Sequence, residues 1–263
     1  PARVYTSDCN LSHVLGYLRQ IDEKNINNKY YHPDDVIGYS GIEKYYEQKL
    51  RGNYGVEYYL VDFQGVIQGK HQSNNSFEAS QGEDLVLSID SRIQKFIENL
   101  TEKYKGTVIV MDPDNGEIIA LASFPDYDLN SFVGPIPIQE WKKLKTDKDK
   151  PFTNRSIQIT YPPGSIFKLT LAAMALEKNL VSKNTKFKCS GEYQFYDTVF
   201  KCWNPEGHGE LNLNDAIKSS CNIYFYNLMQ KISFNDWYDE TTKFGFGELS
   251  SLDLPGGKRG TIP

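Results

Sequence analysis

Apolar positions are unevenly spread along the 263 residues. Up to about residue 80 they are sparse, many of them tyrosines, and polar runs such as Asn25-Ile26-Asn27-Asn28 and Gln72-Ser73-Asn74-Asn75 read as loops. One helical stretch interrupts this region. Ser40 is placed as its N-cap, Glu43 completes a capping box, Ile42, Tyr45, Tyr46 and Leu50 share one apolar face, and Arg51-Gly52 ends it. Residues 56–62 and 66–68 flank Phe63-Gln64-Gly65 and predict a hairpin.

Near Gly82 the pattern changes. A strand-like run over 85–89 leads into Asp90, the N-cap of a helix whose buried stripe is Ile93, Phe96, Ile97 and Leu100. Strands follow at 107–111 and 117–122, joined by Asp112-Pro113-Asp114-Asn115-Gly116, where Asn-Gly supplies the positive φ of a tight turn. Helices are predicted near 165–178, 213–231 and 235–243. This order of elements predicts an α+β fold, an antiparallel sheet with a helical cluster, organised as residues 1–81 and 82–263.

Composition narrows the function. With 39% hydrophobic and 24% charged residues the chain can bury a sizeable core, and a net charge of -5 speaks against nucleic acid as a partner. No stretch reaches the roughly 20 apolar residues of a membrane helix. The sequence starts at Pro1 rather than methionine, so a processed or excised segment is expected, with an anchor or export signal upstream.

The chemistry concentrates around Tyr161-Pro162-Pro163-Gly164-Ser165-Ile166-Phe167-Lys168. Two prolines and a glycine stop any upstream helix, which places Ser165 at a helix start, where unpaired N–H groups favour a developing oxyanion. Residues i and i+3 share a helical face, so the Lys168 amine is expected to reach the Ser165 hydroxyl as its base, provided burial favours the neutral amine. Apolar Ile166, Phe167, Leu169 and Leu171 mark this helix start as buried. Ser220-Cys221-Asn222 is the candidate partner motif. Ser-x-Asn recurs at Ser73, Ser182 and Ser233, but the Ser220 copy is set among Ala216, Ile217, Ile223, Tyr224 and Phe225. If the tripeptide is extended, Ser220 and Asn222 point to one side and Cys221 to the other.

A second cluster is Cys189, Cys202, His208 and Cys221, spaced C-x12-C-x5-H-x12-C. Three thiolates and an imidazole suit tetrahedral Zn²⁺; a Cys189–Cys202 disulfide or unrelated buried thiols are the alternatives.

Tyr161-Pro162-Pro163-Gly164-Ser165-x-x-Lys168, Asn154-Arg155 before it, Ser220-x-Asn222 followed by Tyr224-Phe225-Tyr226, and the Gly38–Gly52 segment together resemble the class B penicillin-binding proteins, on the elongation branch of penicillin-binding protein 2. The resemblance implies a transpeptidase fold preceded by part of a pedestal of the dimerisation type. It also implies a peptidoglycan D,D-transpeptidase: Ser165 attacks a terminal D-Ala-D-Ala carbonyl, D-alanine leaves, and the acyl group passes to an amine on a neighbouring stem peptide. Expected ligands and partners are stem peptides, β-lactam antibiotics, and the membrane glycosyltransferase and scaffold proteins of the elongation complex. The expected location is the inner membrane, with the catalytic domain in the periplasm. Some members of this branch bind zinc at matching positions, with aspartates in place of Cys189 and Cys202. The family's third motif, Lys-Thr-Gly or Lys-Ser-Gly, does not occur, and Lys258-Arg259-Gly260 lacks its hydroxyl residue, so a chain truncated before that motif is expected. A penicillin-responsive sensor and a serine β-lactamase are the rival readings; the Gly41–Gly52 segment speaks against the first and the long region before Ser165 against the second.

Overall fold

The computed structural model describes residues 3–6, 8–22, 31–33, 35–71, 75–134 and 136–262; the loop expected at 25–28 and residues 72–74 of the one expected at 72–75 lie outside them. Contacts divide the chain into two compact units, residues 1–159 with 251–257 and residues 160–250 with 258–263.

The first unit opens with α1 (Ser12–Leu15), the strands β1 (Leu18–Gln20) and β2 (Val36–Gly38), and the short helices α2 (Gly41–Tyr45) and α3 (Glu47–Arg51). The single helix expected here is thus two, broken at Tyr46. Its capping box does not form. The Ser40 hydroxyl accepts the Tyr17 N–H at 3.3 Å, and buried Glu43 pairs with Arg3 at 3.0 Å, so tertiary partners have taken both side chains from the helix end. The hairpin stands as β3 (Tyr58–Val61) and β4 (Ile67–His71).

Residues 85–89 join no ladder, contrary to the expected strand. Their alternation survives, with Leu85, Leu87 and Ile89 packing against a core cluster that holds Val14, Ile42 and Leu121. Asp90 caps α4 (Ser91–Thr101), its carboxylate accepting N–H bonds from Arg92 at 2.9 Å and Ile93 at 3.2 Å. The helix buries a different face from the one expected. Of the apolar stripe only Ile97 is buried; Phe96 and Leu100 are about two-thirds exposed, while Gln94 faces inward, 1% exposed. The reason lies in the next elements, β5 (Gly106–Met111) and β6 (Ile118–Phe124), which form the predicted antiparallel pair around Gly116 at φ 79°. The Gln94 amide donates to the Leu121 carbonyl at 3.1 Å and accepts the Leu121 N–H at 2.9 Å, standing where another strand would pair. Satisfying that backbone outweighs burying two more apolar side chains. A further hydrophobic cluster, Tyr17, Tyr127, Leu129 and Phe132, packs with Trp141 of α5 (Ile138–Thr146).

The second unit contains α6 (Phe167–Glu177), β7 (Phe187–Cys189), β8 (Glu192–Phe195), β9 (Thr198–Lys201), β10 (Gly209–Leu211), α7 (Leu213–Lys218), α8 (Asn222–Met229) and α9 (Phe234–Lys243). The helix expected over 213–231 is interrupted at 219–221, where the Ser-x-Asn motif sits. One core joins Leu171, Met174 and Ala175 of α6 to Ala216 of α7 and Ile223, Tyr224 and Leu228 of α8, and the same cluster contains Cys189, Cys202 and Cys221. The α+β class holds, with the antiparallel pairing distributed among the described residues over five two-stranded ladders: β1–β2, β3–β4, β5–β6, β7–β10 and β8–β9. No helix among them is long and apolar enough to cross a membrane.

Candidate active site

Pro163 and Gly164, the latter at φ 59°, turn the chain into a short 3-10 segment, Gly164–Ile166, that runs straight into α6. Ser165 therefore stands at a helix entrance, as its sequence context predicts. That entrance is open rather than buried: Ser165, Ile166 and Leu169 are exposed, and only Leu171 among the apolar markers is in the core. One turn below, Lys168 is half-buried, with its ammonium 5.7 Å from the Phe225 ring centre. Burial lowers its pKa from the ordinary lysine value, with the Cys221 and Cys202 sulfurs acting in the opposite direction.

The opposing wall is the break between α7 and α8. Ser220 holds φ at 49°, a left-handed conformation unusual for a residue with a side chain, and Cys221 then caps α8 through its sulfur, which accepts the Tyr224 N–H at 3.4 Å. The tripeptide is not extended. The left-handed turn nevertheless puts Ser220 and Asn222 on one side while Cys221 drops into the core, fully buried. Lys168 Nζ spans the gap, donating to the Ser220 carbonyl at 2.7 Å, to Ser220 Oγ at 3.1 Å and to Asn222 Oδ1 at 2.7 Å. Ser220 Oγ in turn lies 3.0 Å from Ser165 Oγ. Among the described residues no hydrogen bond joins Lys168 to Ser165, so the contact expected from the i, i+3 spacing is replaced by a chain of three groups: Ser165, Ser220, Lys168. Two neighbours escaped the sequence reading. The exposed Trp203 indole is fixed by its Nε1–H to the Ser219 carbonyl at 2.9 Å, and the Lys201 carbonyl accepts from the Asn222 amide at 3.4 Å. Their only signal in the sequence is adjacency to Cys202.

The second predicted cluster also assembles. β7 pairs with β10 so that Cys189 lies opposite Gly209, next to His208, and the β8–β9 hairpin returns Cys202, whose N–H bonds the Gly191 carbonyl at 2.8 Å. The donor atoms of Cys189, Cys202, His208 and Cys221 all lie within 4.8 Å of one another. His208 Nδ1 is 3.5 Å from the Cys189 sulfur and 3.6 Å from that of Cys202. Bonds of about 2.3 Å to sulfur and about 2.05 Å to nitrogen at tetrahedral angles place S and N about 3.6 Å apart, so the two His208–sulfur separations match those of a zinc centre and the donor set suits that ion. His208 Nε2 is buried without a hydrogen-bond partner.

Comparison with known proteins agrees with both halves of the chain. Residues 106–263 match the penicillin binding protein transpeptidase domain and residues 1–87 the penicillin-binding protein dimerisation domain. The peptidoglycan D,D-transpeptidase MrdA of Escherichia coli K12 is 31% identical across 99% of this chain and 42% of its own length. The same enzyme of Acinetobacter baumannii is 32% identical, over 99% of this chain and 39% of the relative. Among solved structures, penicillin-binding protein 2 of Helicobacter pylori in complex with MreC superposes with a TM-score of 0.93 at 32% identity, covering all of this chain and 49% of that one. Penicillin-binding protein 2 of Pseudomonas aeruginosa, in complex with WCK 5153, gives 0.83 at 31%, covering all of this chain and 54% of that one. The chain thus spans less than half the length of these curated relatives. It belongs to the penicillin-binding transpeptidases, to the class B members that carry a dimerisation domain, and resembles penicillin-binding protein 2.

Proposed function

We propose that the chain carries the nucleophile half of a peptidoglycan D,D-transpeptidase, and that Ser165 forms its acyl-enzyme. The observation that carries this is the hydrogen-bonded row from Ser165 Oγ through Ser220 Oγ to Lys168 Nζ. With Lys168 neutral, the row runs as a proton path: the Ser165 proton moves to Ser220 Oγ while the Ser220 proton moves to the amine. Ser165 Oγ then attacks the penultimate carbonyl of a stem peptide ending in D-Ala-D-Ala, the Ser165 ester forms, and D-alanine leaves with the returned proton. Asn222 holds the protonated amine in place and offers its amide to the peptide. An acceptor amine on a second stem peptide takes the acyl group.

Zinc fits this reading as a structural ion held by Cys189, Cys202, His208 and Cys221; when bound it would supply rigid tetrahedral coordination and no chemistry of its own. Cys221 lies between Ser220 and Asn222, so holding its sulfur fixes the direction of both motif side chains. Residues 1–81 serve as the pedestal and 82–263 as the front of the catalytic domain. The reading further places the protein on the periplasmic face of the inner membrane, working with a glycosyltransferase and a scaffold protein; the H. pylori relative forms a complex with MreC.

Intact-mass analysis after penicillin treatment of the full-length protein tests the assignment. One stable adduct is expected, absent from Ser165→Ala. An adduct that persists in that variant rejects Ser165 as the nucleophile, and rapid release of hydrolysed penicillin would make the protein a β-lactamase instead.

A further inference from the structure

The sulfur cluster has a chemistry that a zinc site built on carboxylates lacks. The sulfurs of Cys189, Cys202 and Cys221 lie within 4.8 Å of one another and of a His208 ring nitrogen. All three cysteines are unbridged thiols. Two of them, Cys189 and Cys202, bracket the same imidazole nitrogen at 3.5 and 3.6 Å, and the loop between them is closed by the Cys202 N–H bond to the Gly191 carbonyl. Sulfurs held this close, without an intervening disulfide, are poised to form one when an oxidant arrives.

We propose that Cys189 and Cys202 form an oxidisable site, in which a peroxide converts the pair to a disulfide and expels the metal. The inference rests on the metal reading only for the expulsion; bond formation needs the thiols alone. One thiolate attacks a peroxide oxygen and becomes a sulfenic acid as the first water departs. The second attacks that sulfur, the S–S bond forms, and the second water leaves. Two electrons pass from the sulfurs to the peroxide, two protons are consumed, and Zn²⁺ is released, because His208 and Cys221 alone are half a tetrahedral set. The consequence reaches the active site through Cys221. Its sulfur retains only the Tyr224 N–H, so Ser220 and Asn222 lose part of what fixes their positions.

The experiment uses the full-length protein, reduced, with its zinc content measured first. Hydrogen peroxide is then titrated in while an indicator dye reports free zinc and mass spectrometry reports the chain. The expected result is one zinc released for each loss of two hydrogens, a Cys189–Cys202 bridge in the non-reducing peptide map, and acylation by fluorescent penicillin slowed about tenfold, all reversed by a dithiol. The double variant C189D/C202D keeps two oxygen donors for zinc and is expected to hold the metal through the same titration. A bridge that involves Cys221 instead, or thiols that stay reduced while zinc stays bound, overturns the proposal and leaves the metal reading intact. A chain that arrives without zinc and still forms the Cys189–Cys202 bridge overturns the metal reading alone.

Discussion

Replacing Ser220 by alanine separates a proton relay from a direct lysine base. Among the described residues the Ser220 hydroxyl is the one group within hydrogen-bond distance of both Ser165 Oγ, at 3.0 Å, and Lys168 Nζ, at 3.1 Å. Its removal leaves Lys168 anchored by the Ser220 carbonyl and Asn222 Oδ1, both at 2.7 Å, so the amine does not wander. Alanine tolerates the φ of 49° no worse than serine, and the half-buried site loses one oxygen, so the fold should stand within about 1 kcal/mol. What is lost is the positioned proton acceptor, a term of about 10²–10⁴ in rate. The second-order rate of acylation by a fluorescent penicillin in the full-length protein should therefore fall by about 10²–10⁴, with Lys168→Ala at the upper end of that range. Acylation by Ser220→Ala within about tenfold of the parent would refute the relay and restore the direct Lys168–Ser165 transfer that the i, i+3 spacing suggests.

Three other perturbations are worth measuring. Because burial lowers the Lys168 pKa, the neutral amine is populated at lower pH than for free lysine, and the acylation rate should climb with pH and level off below the free value of 10.5. A midpoint at or above 10.5 would contradict that base. His13 is buried, its Nε2–H donating to the Pro151 carbonyl at 2.7 Å, and burial holds its pKa down to about 4 from 6.5. The unfolded chain binds this proton first as pH falls from 6.5 towards 4, so stability is lost across that window, by about 3 kcal/mol when complete. Denaturant titrations of the parent and His13→Gln should diverge over it, and parallel curves would exclude His13 as the cause. Gln94→Ala strands the Leu121 N–H and carbonyl and should cost about 2–4 kcal/mol, whereas Gln94→Glu, which keeps only an acceptor, should fall between; a loss below about 1 kcal/mol in the alanine variant means the backbone finds water.

The parts of the fold that were legible in the sequence are those set by local chemistry. Pro162, Pro163 and Gly164 force the helix start at Ser165, Asp90 caps α4, and Gly116 turns β5 into β6, each within a few residues of its cause. The α4 stripe misled because periodicity marks an apolar face without saying which neighbour comes to cover it; Leu121 claimed Gln94, and Phe96 and Leu100 stayed outside. Ser40 and Glu43 make a capping pattern in sequence, yet Tyr17 and Arg3, distant along the chain, took their oxygens. In the candidate site the residue types and their grouping could be read off. The order in which they touch could not, because it depends on the left-handed backbone at Ser220, which no glycine or asparagine announces.

That left-handed turn makes activity sensitive to temperature before the fold itself is. Held by the ends of α7 and α8, Ser220 sits above its relaxed conformation by about 1 kcal/mol or more. α7 has six residues, and its outer side, Asn214, Asp215 and Lys218 among them, faces solvent. A brief fraying of that helix lets Ser220 swing to a right-handed φ, carrying its hydroxyl away from Ser165 while α6 and α8 remain folded around Met174 and Leu228. Warming then dims acylation gradually, well ahead of the cooperative melt, and a ligand seated on Ser165 would restore the turn by occupying it.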